Sequence, residues 1–185
     1  MQVERTAIPD VLLLTPKLFG DARGFFVENY NRRTFAAATG LDVDFVQDNH
    51  SRSSRNVLRG LHYQLTRPQG KLVRVTAGEI WDVAVDLRRS SASFGRWVGA
   101  TLSAAAPTQL WIPPGFAHGF IALSDFAEVQ YKITDYYAPE DEHSLLWNDP
   151  QLAIAWPLGG LSGGVPILSD KDRRGVPLER APTYA

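Results

Sequence analysis

Val57-Leu-Arg-Gly-Leu-His-Tyr-Gln64, Gly70-Lys-Leu-Val-Arg-Val75 and Trp81-Asp-Val-Ala-Val-Asp-Leu87 form the stretch from which the fold is read. Alternation within the second segment puts Lys71, Val73 and Val75 on one face and Leu72 and Arg74 on the other. Lys71 is therefore expected to point inward. After the turn at Ala77-Gly78, Trp81, Val83, Val85 and Leu87 are apolar at every second position, which marks a strand with a committed buried face. A lysine beside such a face needs a reason, because burying an unpaired charge is expensive. Either it sits at an edge with its ammonium snorkelling to water, or the charge is there to do chemistry.

Working outward, Gly and Pro recur at short intervals, and the runs between them are rich in Val, Ile, Phe, Tyr and Trp at alternating positions. That pattern predicts an all-β sandwich or barrel. One short N-terminal helix competes: Asn31 can cap Arg32–Thr39, with Ala36, Ala37 and Ala38 as helix formers and Gly40 as terminator. The 185 residues suit a single domain, 1–185, with one well-buried core. Nineteen basic against twenty acidic residues leave a net charge of -1, so no global field draws the chain to nucleic acid or to an anionic membrane. Zero cysteines exclude a disulfide framework and thiolate metal sites. Met1-Gln-Val-Glu-Arg-Thr6 lacks the apolar core of a signal peptide and no apolar run reaches membrane-spanning length, so a cytoplasmic protein is expected.

Several segments carry polar groups in places suited to a site. Gly20-Asp-Ala-Arg-Gly24 is a turn with one cation, followed by Phe25-Phe-Val-Glu28, a short aromatic strand ending in a carboxylate. Phe45-Val-Gln-Asp-Asn-His-Ser-Arg-Ser-Ser-Arg55 reads as a strand that becomes a polar loop with two arginines, groups equally suited to solvent and to phosphate. Arg59 and His62 have opposite parity, so both can face one pocket only if the backbone bulges near Gly60. Pro113-x-Gly115-x-x-His118 places a histidine just past a rigid turn. Over Glu128–Thr134, Val129, Tyr131 and Ile133 share a face, which turns Tyr131 toward the core. The Pro- and Gly-rich remainder, from Tyr136 onward, reads as a wrapping C-terminal segment.

Two chemistries compete for these residues. Cupin-type double-stranded β-helices often hold a divalent ion through a His-x-His pair, a carboxylate and a later histidine. Here the first pair reads His62-Tyr63-Gln64, so only His62, His118 and an amide would be available, a poor ligand set, and no metal is expected. The second chemistry is acid–base. A histidine can remove a proton beside a ketone, a lysine can stabilise the resulting enolate, and a tyrosine, its pKa lowered by that cation, can return a proton from the other face. Such a base needs a carboxylate behind it, and Asp82, Asp86, Asp170 and Asp172 are the candidates.

Asp21-Ala-Arg-Gly-Phe-Phe-Val-Glu28, Gln47-Asp-Asn-His-Ser51, Leu58-Arg-Gly-Leu-His-Tyr-Gln64, Gly70-Lys-Leu-Val-Arg74, Gly115-Phe-Ala-His-Gly-Phe120, Tyr131-Lys-Ile-Thr-Asp-Tyr-Tyr-Ala-Pro139 and Leu168-Ser-Asp-Lys-Asp172 occur in one order and spacing. Together they resemble the dTDP-4-dehydrorhamnose 3,5-epimerase family, over Ile8 to Gly175. The resemblance implies a cupin-like jelly-roll barrel, no cofactor or metal, and a homodimer whose partners exchange N-terminal strands. It also implies roles. His62 would be the general base, Asp172 its orienting partner, Tyr131 the general acid, and Lys71 and His118 the groups around the sugar carbonyl. Arg23, Arg59 and Lys171 would meet the diphosphate, Phe19, Glu28, Gln47 and Asn49 the thymidine end, and Glu142 another part of the ligand. Asp172 is preferred to Asp170 because the family's aspartate follows a basic residue. One departure is Leu65-Thr-Arg-Pro-Gln-Gly70, shorter than the Pro-rich loop of many relatives.

The expected reaction is epimerisation of dTDP-4-keto-6-deoxy-glucose at both carbons flanking its ketone. The rivals are a mono-epimerase or ketoisomerase of a dTDP-4-keto-6-deoxyhexose, a metal-dependent cupin, and a non-catalytic sugar-nucleotide binding module.

Overall fold

The computed structural model describes residues 1–160 and 165–185. The N-terminal part holds β1 (Gln2–Arg5), β2 (Leu12–Thr15), a hairpin of β3 (Leu18–Asp21) and β4 (Gly24–Val27), and α1 (Arg32–Thr39). The barrel continues with β5 (Gln47–Ser54), β6 (Leu58–Gln64), β7 (Lys71–Ala77), β8 (Glu79–Asp86) and β9 (Trp97–Ser103). It closes with β10 (Gln109–Ile112), β11 (Phe116–Ala122), β12 (Phe126–Ile133) and β13 (Glu142–Ser144), and the C-terminal segment adds a one-turn α2 (Asp170–Arg173). Two antiparallel sheets, β1-β2-β10-β7-β12-β5 and β13-β6-β11-β8-β9, face each other as a cupin-like jelly roll.

Alternation decides what each face buries. Val73 and Val75 of β7, Leu110 and Ile112 of β10 and Val129 of β12 meet Ile80 and Ala84 of β8 and Phe116 and Phe120 of β11 inside the barrel. The committed face of β8 lies elsewhere. Val83 and Val85, with Leu87 beyond the strand, are on the outside of the five-stranded sheet, where Leu145, Leu152, Trp156, Leu178 and Ala181 of the wrapping segment cover them. Each such fully buried aliphatic side chain contributes about 1.5–3 kcal/mol relative to exposure. β8 is thus buried on both faces, and its inward row includes Asp82.

The helix forms where the sequence places it. Asn31 accepts from the Arg33 and Thr34 N–H groups, and Gly40 closes the last turn with φ 75° and an N–H bonded to Ala36. Its one buried side chain, Phe35, packs with Leu12, Leu14, Leu72 and Trp111 on the outer face of the six-stranded sheet. One expectation is corrected. The polar run after Phe45 does not turn into a loop: β5 pairs with β12 along its whole length, from Gln47↔Ile133 to Ser54↔Phe126. Strand pairing needs backbone groups only, so polar side chains at an edge are no obstacle to it.

Candidate active site

The register lines up polar groups on the inner face at one end of the barrel. Lys71 lies between Ile112 and Ile133, and Ile133 in turn pairs with Gln47; one row further, Val73, Tyr131 and Asn49 stand side by side. From the facing sheet, His62 and His118 are cross-strand partners on β6 and β11. Between them lies the bulge that the opposite parity of Arg59 and His62 requires. Three residues of β11, His118 to Phe120, stand opposite four of β6, Arg59 to His62. Gly60 has φ 128°, and a Cβ there would lie 2.5 Å from the Gly119 Cα, so only glycine fits this crossing. Arg59, His62, Lys71, His118, Tyr131 and Glu142 all line one cavity of about 750 Å³, together with Gln47, Asn49, Lys171 and Asp172.

His62 is bonded through Nε2 to Asp172 Oδ1 at 2.7 Å. Asp172 is oriented in its turn. Ser169 caps α2 in a reciprocal capping box, its hydroxyl donating to Asp172 Oδ2 at 2.6 Å, and the Gly60 N–H donates to Oδ1 at 3.2 Å. Burial opposes the Asp172 charge, but the hydrogen bonds from His62, Ser169 and Gly60 outweigh it and hold the pKa at about 2. With an ionised acceptor behind it, the neutral His62 ring carries its proton on Nε2 and its lone pair on Nδ1. Burial lowers the His62 pKa, against the Asp172 hydrogen bond and helped by the Lys171 and Lys71 charges. Asp170 is mostly exposed and pairs with Arg173.

Lys71 is only 8% exposed, and its Nζ lies 3.4 Å from the His62 carbonyl oxygen. Burial lowers its pKa to about 8, with the Asp82 and Glu142 charges working to raise it and Lys171 to lower it. Tyr131 corrects an expectation. Its pKa is raised, by burial first and by Glu142, with Arg59 the opposing cation. The phenol stays protonated, which suits a proton donor. Asp82, fully buried, belongs to His118, whose Nε2 lies 2.9 Å from both carboxylate oxygens.

Around the mouth, Arg59 is exposed and held by the Ser53 hydroxyl at 2.9 Å. Glu142 bridges Lys171 at 2.8 Å and the Tyr137 hydroxyl at 3.0 Å, and the Tyr137 N–H donates to Gln47, whose amide donates to Asn49. Sequence reading did not single out Ser51, Gln69 and Ser169, which also line the cavity. The spacing Ser169-x-x-Asp172 is a capping-box signal that points to Ser169 and ranks Asp172 above Asp170. Three expected residues stand outside the cavity in one chain. Phe19 and Arg23 are on the β3–β4 hairpin, which pairs only with itself among the described residues, Arg23 being bonded to Asp21. Glu28 lines a neighbouring cleft that also touches Asn49 and Tyr131.

Of the donors of a metal reading, His62 and His118 each turn Nε2 to a carboxylate and keep only Nδ1 for a ligand. Gln64 Oε1 accepts from the Ala138 N–H, and its amide donates to Arg67 and Tyr136, tying two loops together. Among the described residues no three His, Asp or Glu side chains are grouped to hold a metal ion.

Residues 5–180 match the family model of dTDP-4-dehydrorhamnose 3,5-epimerase. The chain belongs to this family. It is 61% identical over 175 residues to the dTDP-4-dehydrorhamnose 3,5-epimerase of Pseudomonas aeruginosa, covering 95% of this chain and 94% of that one. It superposes with a TM-score of 0.92 on the Legionella pneumophila dTDP-6-deoxy-D-glucose-3,5-epimerase in complex with dTDP-4-keto-L-rhamnose, at 50% identity over 97% of this chain and 93% of that one. A 3'-monoepimerase from Streptomyces bikiniensis, in complex with dTDP-quinovose, has a TM-score of 0.87 at 33% identity, covering 97% and 88%. As a member of the epimerase family the protein is an isomerase, and the cavity is where an epimerase's acid and base are to be sought.

Proposed function

We propose that the protein converts dTDP-4-keto-6-deoxy-glucose to dTDP-4-keto-L-rhamnose, inverting carbons 3 and 5 with its own side chains alone. The observation that carries this reading is the placement of an Asp172-backed imidazole and a protonated phenol on opposite walls of one cavity, His62 from the five-stranded sheet and Tyr131 from the six-stranded one. His62 Nδ1 takes the proton from a carbon beside the ketone, and the electron pair moves onto the ketone oxygen as an enolate. Lys71, with His118 across from it, stabilises that oxygen. Tyr131 gives its hydroxyl proton to the carbon from the other face, the enolate returns to a ketone, and proton exchange with water resets both side chains. Repetition at the second carbon completes the reaction.

Arg59 and Lys171 suit the diphosphate, and Gln47 and Asn49 the thymine edge. Arg23, Phe19 and Glu28 complete the nucleotide site from the partner in a homodimer. The same hairpin leaves Phe25 and Phe26 67% and 68% exposed, apolar surface that such a partner would cover. Among the described residues no helix is long and apolar enough to cross a membrane. We further propose that the reaction runs in the cytoplasm.

Proton NMR of dTDP-4-keto-6-deoxy-glucose with the protein in deuterated, chelator-treated buffer tests the reading. Deuterium is expected at both carbons. Exchange at one carbon makes it a mono-epimerase like its Streptomyces bikiniensis relative, exchange only after a divalent ion is restored makes it a metal cupin, and binding without exchange makes it a binding module.

A further inference from the structure

We propose that Asp82, which does not line the cavity, is a positioning residue of the epimerase that joins His118 and Lys71 into one electrophilic unit for the enolate oxygen. The inference rests on the acid–base reading above and assigns it a second histidine–carboxylate pair. The two pairs stand side by side on one sheet, since His62 and His118 are cross-strand partners, yet their carboxylates are built differently. Asp172 accepts from the Ser169 N–H and hydroxyl and from the Gly60 N–H as well as from His62, so its charge is shared among several donors. Asp82 is 0% exposed, and among the described residues its side chain accepts only from His118, at 2.9 Å to each oxygen. Its only hydrogen-bonding partner among the described residues is therefore that ring, in a low-dielectric interior where its charge acts strongly.

The consequence is a division of labour. The His118–Asp82 contact uses Nε2 and leaves Nδ1 as the ring nitrogen for the cavity. When a proton lies between Nδ1 and the enolate oxygen, the ring is cationic, and Asp82 balances that charge without touching substrate. The same carboxylate supports the Lys71 ammonium against burial. The charged groups that face Lys71 are Asp82 from β8, Glu142 from β13 and Lys171 from α2. The titratable His62, His118 and Tyr131 share its cavity. Removing Asp82 thus weakens both donors to one oxygen.

The test is Asp82→Asn, which keeps the shape and loses the charge. The expected result is a kcat lower by about ten- to hundredfold, with KM and the dTDP Kd within about threefold of the parent. The alkaline limb of the kcat/KM profile moves to lower pH, and the substitution costs less in a His118→Ala background than in the parent, because only its support of Lys71 is left to lose. A kcat within twofold of the parent overturns the proposal, as does a loss that is additive with His118→Ala and leaves the alkaline limb in place. If Asp82→Asn does not fold, nitrogen-15 NMR of the histidine rings in the parent protein decides. Nε2 of His118 must carry the proton in the free enzyme and Nδ1 must be the nitrogen that responds to the keto sugar, and the opposite tautomer overturns the proposal. Absence of exchange by the parent protein itself would instead overturn the underlying epimerase reading.

Discussion

Lys71 stands between Ile112 and Ile133, where burial works against its charge, and a group kept there with a pKa of about 8 titrates within the working range of an enzyme. The His62 pKa lies below its ordinary 6.5, so the base is free above that range and blocked below it. The two directions, which belong to the free enzyme, together predict a bell-shaped kcat/KM profile. Activity falls with acid below pH 6.5 as His62 takes a proton, and with alkali near pH 8 as Lys71 loses one. Lys71→Met should remove the alkaline limb and lower kcat by roughly a hundredfold or more. A steady-state pH series on both proteins checks this, and an alkaline limb that persists in Lys71→Met assigns it to another group. Tyr131→Phe separates the acid from the base. Deprotonation at His62 continues, so deuterium still enters the substrate, whereas inverted product falls by roughly 10²–10⁴. NMR of the same sample reads both quantities, and loss of exchange together with inversion would move the base's role onto Tyr131.

At the scale of elements, the β6 bulge is the device that brings Arg59 and His62 to one cavity, and it depends on a glycine. In Gly60→Ala the new methyl would meet the Gly119 backbone at 2.5 Å with φ at 128°. The change should cost roughly 3 kcal/mol or more, a Tm lower by about 6–12 °C, and should slow catalysis by parting His62 from His118. Calorimetry and kcat on Gly60→Ala check this, and an unchanged Tm would mean that β6 has another course available. The bulge was legible because parity is strict in strands, and two residues of opposite parity with a glycine between them leave few solutions. Helix α1 was legible from its cap and its terminator. Strand β5 was not, because an edge strand whose inner row is Gln47, Asn49 and Ser51 has no hydrophobic alternation to betray it. The apolar face of β8 was legible as buried, yet nothing local says whether barrel or wrapping segment buries it. The assignment of Asp82 to His118 and Asp172 to His62 depends on contacts between residues 36 and 110 positions apart in the chain, which spacing alone cannot reach.

At the scale of the molecule, the proposed function asks for Phe19, Arg23 and Glu28 at the nucleotide, and none of the three lines the cavity of its own chain. Phe19 is 52% exposed and the Arg23 side chain 90% exposed, on a hairpin that no other strand of the described residues pairs with. A cation that is to meet a diphosphate has no use for so open a position unless another surface comes to it. The proposed homodimer would solve this by delivery across a two-fold axis, each partner receiving the hairpin that it gives. Such an arrangement has a signature that no single-chain site can mimic. Arg23→Ala and His62→Ala should each be inactive alone, the first through lost diphosphate binding and the second through lost chemistry. Co-expressed in equal amounts, half of the dimers are mixed, and each mixed dimer holds one site with both residues intact, so about one quarter of the sites should work. Activity of the purified mixture near that fraction, with sedimentation showing dimers, is the expected outcome. A mixture as inactive as its components would place Arg23 and His62 of the same chain in the same site, and the hairpin would then have to fold back over its own barrel.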